Sequence, residues 1–282
     1  MKYYIVIPAH NEANFIDLTL DSIVKQTILP KQVVVVNDNS TDNTADVIKE
    51  YSKKYSFIQL VNNQSDTNHL PGSKVINAFY KGFNLLDSEY DFIVKLDADI
   101  ILPTNYFEIV SSHFNNNSKT GMCGGFAYIK KGNNWVLENL TNKDHIRGAF
   151  KAYRKECFLD IGKLKPSMGW DTVDELLAQY HNWKIKTDEA LKVKHLKPTG
   201  KTYNKTARYK QGEAFYKLDY GLVLTIIASI KLALLKKQPL LLVDYINGYL
   251  KAYSKKTAKL VNIKEGQFIR SLRWKGIKQK LF

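Results

Sequence analysis

Three apolar runs of strand length, Tyr3–Ile7, Val33–Val36 and Phe92–Leu96, the last interrupted by Lys95 alone, each end in a polar turn. A strand that is apolar on both faces has to be covered on both, which predicts a parallel sheet sandwiched between helices. The segments between the runs have helical spacing. One opens at Glu12 or Asn14 and continues through Leu20, Ile23 and Val24. A second carries Ala45, Val47 and Ile48 behind a hydroxyl or carboxylate cap, and a third runs from Ser73 to Phe83. With a weaker strand over Phe57–Val61, this alternation predicts an α/β fold with a doubly wound, mostly parallel sheet flanked by helices.

In such sheets ligands bind beyond the carboxyl ends of the strands. There the run Asp91-Phe-Ile-Val-Lys-Leu-Asp97-Ala-Asp99 places two carboxylates one small residue apart. In extended backbone they point the same way and repel, so a positive partner is expected between or beside them. Hard oxygen ligands suit magnesium or manganese, with a diphosphate completing the shell. A solvated turn is the other reading of the same residues.

Downstream, Tyr106–Phe114 reads as a helix, Met122–Ile129 and Gly148–Tyr153 as strands, and Lys130–Asp144 as a polar loop. A helix follows Gly169–Glu175 and ends near Trp183; Val193–Leu196 forms a last strand carrying His195. Past Pro198 long aliphatic and lysine-rich helices replace the alternation, so two parts are expected, 1–200 and a basic, partly apolar helical extension over 201–282.

Lys and Arg number 42 against 27 Asp and Glu, an excess of +15 that favours an anionic partner: nucleotide, nucleic acid or acidic lipid. The two cysteines, Cys123 and Cys157, have no metal or disulfide spacing and read as reduced core residues of a cytosolic protein. Tyr3–Ile7 is too short for a signal segment. The apolar run Tyr220–Leu235 is broken by Lys231 and falls short of the ~20 residues of a spanning helix. From Lys251 to Phe282, ten Lys or Arg face Glu265 alone and alternate with Phe268, Ile269, Leu272, Trp274 and Ile277. Two readings stay open for this tail: a helix lying in an anionic membrane interface, or a basic surface helix docking its apolar side on the body.

No GxxxxGK[ST] and no GxGxxG sequence occurs, which removes the main support for a Walker ATPase or an ordinary dinucleotide fold. Gly72-Ser73-Lys74 opens a helix and offers a modest anion site, with N-capping by Ser73 as the favoured role of that hydroxyl. Asp171, Asp174 and Glu175 fall on one helical face. Thr172 and Glu175 have capping-box spacing, which gives Glu175 a structural task and leaves Asp174 as an ionised carboxylate suited to a general base.

Five motifs in order over roughly the first 200 residues carry a resemblance. These are Ile7-Pro8-Ala9-His10-Asn11-Glu12, Val36–Asp42, Asp97-Ala-Asp99, Gly148-Ala149 followed by Arg154, and Gly169-Trp170-Asp171-Thr172-Val173-Asp174-Glu175. Together they resemble family 2 of the inverting nucleotide-sugar glycosyltransferases, which have the GT-A fold. The resemblance implies that Pro8, Ala9 and Glu12 line the nucleotide pocket, that Asp38 hydrogen-bonds the base and that Lys74 stands near the phosphates. Asp97 would contact ribose or metal, Asp99 would ligate metal and His195 would approach it. The base would be Asp174 or, as second choice, Asp171, because Val173-Asp174-Glu175 stands where the family usually has Glu-Asp.

The implied reaction moves a sugar from a nucleoside-diphosphate sugar to a carbohydrate or glycolipid hydroxyl with inversion, assisted by Mn2+ or Mg2+. Its expected setting is cell-surface polysaccharide or glycolipid synthesis in the cytoplasm, at the inner face of the membrane if the tail binds lipid. Two rivals remain. A sugar nucleotidyltransferase would want a glycine-rich basic loop after the first strand, where Pro8–Glu12 is acidic and glycine-free. A nucleic-acid-binding protein would use the lysine-rich tail, with strong salt dependence.

Overall fold

The computed structural model describes residues 1–65, 72–138, 143–197 and 205–281. The predicted alternation is present. β1 (Tyr3–Ala9), α1 (Ile16–Val24), β2 (Gln32–Asp38), α2 (Thr44–Lys54), β3 (Ile58–Asn63), α3 (Ser73–Phe83) and β4 (Phe92–Leu96) follow one another. The four strands pair in parallel in the order β3-β2-β1-β4, each buried on both faces through its centre apart from the more exposed β3.

Adjacent residues of β1 show how the two faces are covered, because neighbouring side chains leave a strand on opposite sides. Tyr3 stacks on Phe92 at 4.8 Å and meets Phe107 at 4.6 Å, whereas Tyr4 lies 5.5 Å from Tyr90 on the other face. Gly82 lets α3 lie directly on that second face: a Cβ there would come within 2.7 Å of Val6 and 2.9 Å of Val36.

The second half of the sheet is mixed. β5 (Ile100–Ile101), α4 (Tyr106–Asn116), β6 (Thr120–Lys131), β7 (Asn134–Leu137), β8 (Phe150–Arg154), α5 (Lys155–Asp160), α6 (Trp170–Tyr180) and β9 (Lys184–His195) complete it. β8 runs antiparallel to β4 and to β6, β6 runs parallel to β9, and β5 closes the far edge on β9. This is a GT-A arrangement.

Two sequence expectations change. The polar loop predicted over Lys130–Asp144 contains β7, a half-exposed strand that pairs with the tail of β6; residues 139–142 of that loop lie outside the described residues. The last strand starts at Lys184 instead of Val193, and its first half alternates exposed and half-buried residues.

The boundary expected near residue 200 falls outside the described residues. Beyond it come α7 (Lys205–Lys217), α8 (Gly221–Leu235), α9 (Leu240–Ser254) and α10 (Ile263–Leu281). Phe215, Leu218, Leu224, Tyr249 and Ile269 join the same hydrophobic cluster as the sheet. Phe268, Leu272 and Ile277 of α10 also pack on that cluster, with Phe268 5.6 Å from Tyr180 of α6. The basic tail therefore spends its apolar side on the body. No helix among the described residues is long and apolar enough to cross a membrane. Both cysteines are free and buried, as expected of core residues.

Candidate active site

The carboxyl ends of β1, β2 and β4 and the start of β8 meet at one edge, and the loops there are tied to each other. The Asn11 amide donates to Ser40 Oγ at 3.0 Å, Thr41 N–H donates to Asn11 Oδ1 at 2.8 Å and Glu12 N–H donates to Thr44 Oγ1 at 2.7 Å. Pro8 and Ala9 end β1 beneath this clasp. Asp38 ends β2 nearly buried. Its carboxylate accepts from Asn63 Nδ2 at 2.7 Å and Ser65 Oγ at 3.0 Å, which fixes its direction.

Asp97 follows β4, its N–H donating to Ala149 O at 2.7 Å and its carboxylate paired with Lys95. Asp99 is buried with His195 Nε2 3.3 Å from Oδ2. β9 delivers that histidine: Ile100 pairs with His195, and Leu196 N–H donates to Asp99 O at 2.9 Å. Glu12 lies close enough to feel both aspartates. Burial pushes it up to about 6 with their help, against Lys197, whose Nζ is 2.5 Å from Oε1.

Among the described residues no group of three or more His, Cys, Asp or Glu is set to hold a metal ion. Two potential ligands, Asp99 and His195, do lie together, with Asp97 turned towards Lys95. Buried His195 Nδ1 and Glu12 Oε2 have no hydrogen-bond partner among the described residues. A carboxylate and an imidazole side by side fit a divalent cation whose remaining positions are filled by a substrate's oxygens.

Opposite this pair, α6 begins at Trp170 with Gly169 in the left-handed conformation (φ 76°). The three acidic residues of α6 have different surroundings. Asp174 is 1% exposed; it receives Lys151 Nζ at 3.1 and 3.2 Å and the Tyr153 hydroxyl at 2.6 Å. Glu175 accepts from Lys151 at 2.9 Å and from Ile146 N–H at 2.9 Å, and pairs with His145 Nδ1 at 2.8 Å. Asp171 keeps 34% of its side chain exposed and has His145 Nε2 3.8 Å away. Its backbone carbonyl accepts from Lys151 at 2.8 Å, so the lysine also holds the first turn of the helix.

Burial pushes Asp174 up to about 6, against the pull of Lys151. Burial acts the same way on Glu175 but is outweighed by Lys151 and His145, which hold it below the usual range. Burial also opposes the charge on His145, and Glu175 more than restores it, raising the imidazole.

The capping-box reading of Thr172 and Glu175 is therefore corrected. Gly169 stands at the N-cap with no side-chain cap bond, because Glu175 points inward to Lys151, His145 and the Ile146 amide. Ser73 likewise does not cap α3: its hydroxyl donates to Pro166 O at 2.9 Å. Gly72 (φ 77°) presses on Ser167, whose oxygen a Cβ would approach to 2.4 Å, and Lys74 stands half-buried in the turn above. Arg154 lies at the far end of β8, donating to the Phe114, Asn117 and Thr120 carbonyls, away from the acidic pair.

Several residues carry no motif and were missed from sequence: Lys95, His145, Arg147, Lys151 and Lys197. Lys95 and Lys151 stand directly opposite each other on β4 and β8, nearly or wholly buried. Lys95 lies 5.2 Å from the Trp170 ring centroid, linking β4 to α6. Arg147 pairs with Glu138, and burial lowers it while Asp171 and Asp97 pull it back up. A signal was present, since a lysine inside an otherwise apolar strand is buried only if paired. The close approach of α6 to β8 rests on Gly148, where a Cβ would meet the Trp170 ring at 2.4 Å and Asp171 Cβ at 3.0 Å.

Compared with known proteins, residues 4–163 match the model of the family described as Glycosyl transferase family 2. The chain belongs to that family. Its relatives include an uncharacterized glycosyltransferase (MG025 homolog) of Mycoplasma pneumoniae, 29% identical over 192 residues covering 64% of this chain and 60% of the relative. A poly-beta-1,6-N-acetyl-D-glucosamine synthase of Staphylococcus epidermidis is 23% identical over 59% of this chain and 41% of its own. The chain thus spans less than two thirds of the length of these relatives.

Among solved structures, S. aureus TarS 1-349 in complex with UDP-GlcNAc superposes with a TM-score of 0.56 at 18% identity, over 95% of this chain and 78% of that one. The mannosyltransferase PcManGT of Pyrobaculum calidifontis, in complex with GDP-Man and Mn2+, gives 0.56 at 15% identity over 100% and 81%. At these identities the likeness shows a shared fold.

Proposed function

We propose that this family 2 chain transfers a sugar from a nucleoside-diphosphate sugar to a hydroxyl of a cell-surface polysaccharide or glycolipid acceptor, with inversion. The observation that supports the reading is the Asp99–His195 pair beside Asp97 at one sheet edge, with Arg147 near enough to feel both Asp97 and Asp171 at the start of α6. Pro8, Ala9, Glu12 and Asp38 would line the nucleotide, with Asp38 held by Asn63 and Ser65 so that its free lone pairs face the base. Lys74 would stand by the phosphates.

Asp99 and His195 would hold Mn2+ or Mg2+, with Asp97 beside them on metal or ribose. A cation bound there supplies Lewis-acid stabilisation of the charge that grows on the leaving diphosphate.

The base in this proposal is Asp171, a reversal of the preference drawn from sequence. A general base must reach the acceptor hydroxyl and return its proton to solvent, and Asp174 is enclosed by Lys151 and Tyr153. Asp171 takes the hydroxyl proton as the oxygen attacks the anomeric carbon from the face opposite the diphosphate.

Thermal shift against a panel of sugar nucleotides with and without manganese tests the donor reading. A ligand at 100 times its Kd adds ~2.7 kcal/mol to stability and should raise Tm visibly. In Asp99→Asn the manganese-dependent part of the shift should vanish while the fold remains. Unchanged affinity for the nucleoside diphosphate with manganese would sink the metal assignment.

A further inference from the structure

The least expected surface of the molecule is the α8–α9 hairpin. Leu222, Ile226, Ile230 and Leu234 recur every four residues along α8, with Val223 and Ile227 beside them, so they form one stripe down the helix. Of the buried residues of α8, Thr225, Ser229 and Ala233 are smaller or more polar than the exposed ones, and Leu224 is the one large aliphatic side chain among them. The helix is inverted: its larger aliphatic side chains face out, with Val223 60% and Leu234 72% exposed among the described residues. At the turn the patch continues through Leu235, Leu240 and Val243, all exposed. Isolated exposed leucines need no explanation, but a contiguous aliphatic face over a whole helix does.

The exposed charges along α8 and at the turn are all of one sign, and the carboxylate nearest the patch, Asp244 after Val243, is half-buried. Lys231, Lys236 and Lys237 are exposed at the stripe's edge and at the turn, and no Asp or Glu occurs from Tyr220 to Val243. A second copy of this chain would bring the same lysines against each other, in a molecule already carrying +15. Protein interfaces are also depleted of lysine. An aliphatic stripe bordered by lysines fits a surface that is apolar beneath and anionic above.

We infer that α8 and the α8–α9 turn form a membrane-docking face, which lies in the interface of a bilayer containing anionic lipid. The aliphatic stripe enters the acyl boundary, and Lys231, Lys236 and Lys237 reach the phosphate and carboxylate headgroups above it. This assigns lipid contact to α8 and the turn, whereas the sequence reading that offered lipid contact placed it on the tail, whose α10 packs its apolar side on the body. The inference does not depend on the sugar-transfer reading.

The test is sedimentation of the full chain with vesicles of phosphatidylcholine, with or without phosphatidylglycerol. Wild type should bind the mixed vesicles far more tightly than the neutral ones. Ile227→Gln with Leu234→Gln should cut binding roughly a hundredfold, from the loss of two buried aliphatic side chains. Lys231→Gln, Lys236→Gln and Lys237→Gln together should remove most of the preference for phosphatidylglycerol, at roughly fivefold per charge. All five positions are exposed, so the melting temperature should not move. Light scattering runs alongside. Equal vesicle binding by the Ile227→Gln, Leu234→Gln variant overturns the inference. So does a wild-type dimer that the same variant dissolves, since a second copy would then cover the face.

Discussion

Asp171 and Asp174 sit one turn apart on the same helix, and their surroundings are opposites. Asp171 emerges at the sheet edge beside His145, with its carboxylate in reach of solvent. Asp174 points into the protein, where Lys151 and the Tyr153 hydroxyl take up its oxygens. The difference is imposed from below: Lys151 and Tyr153 leave β8 on one face, two residues apart, and α6 lies over them. A carboxylate's chemistry follows from the strand beneath it more than from its place in a motif.

The sharpest way to break that contrast is to neutralise each aspartate in turn. Asp171→Asn should lower transfer by ~10²- to 10⁴-fold while donor and metal binding persist, the loss expected for a general base. Asp174→Asn should leave the turnover of folded protein near wild type. If instead Asp174→Asn is inactive with nucleotide still bound and Asp171→Asn transfers normally, the roles are the reverse of those proposed.

Stability separates the pair in the other direction. Lys151→Met leaves Asp174 buried without its cation and Glu175 with His145 alone, and breaking a buried pair from one side costs about 3 kcal/mol or more. Unfolding in urea should show that loss as a lower midpoint. Replacing Lys151 by Met together with Asp174 by Leu should recover part of it, because no uncompensated charge remains at that position. Asp171→Asn should scarcely change the midpoint.

A smaller effect probes the link between the two regions. His145 bridges Glu175 and Asp171, and its pKa is raised by Glu175 over the opposing effect of burial. A raised imidazole contributes stability that is complete below its unfolded value, near 6.5, and fades as pH rises through the folded one. His145→Asn should therefore lower the melting temperature more at pH 5.5 than at pH 9. A difference that is flat across that range would show that the imidazole acts by shape alone.

The parallel half of the fold was legible because strands buried on both faces are written as continuous apolar runs, as in Tyr3–Ile7 and Val33–Val36. β9 was read too short because Lys184–Glu189 sits on a half-solvated stretch, where alternation is diluted by lysine and aspartate. β7 was missed because a four-residue strand with one neighbour needs little burial. At the site, Asp97 and Asp99 could be read as a pair from their place after a strand, and His195 was joined to them only by the family resemblance. The choice between Asp171 and Asp174 could not, because it depends on Lys151, more than twenty residues upstream. Its position inside Phe150–Tyr153, like that of Lys95 inside Phe92–Leu96, was the available clue. A charge set in an apolar strand asks for a partner, without saying which.

Gly148 gives the contrast a length scale. The gap between β8 and the start of α6 has no room for a methyl group, since Trp170 and Asp171 already occupy the place where one would go. A side chain at 148 would act as a spacer, lifting the first turn of the helix and carrying the Asp171 carboxylate outward. Misplacement by about 1 Å can cost a reaction roughly a hundredfold. A residue with no atom to offer a substrate thus sets how far the carboxylate stands from the acceptor, and the tolerance of that distance is narrower than one carbon atom.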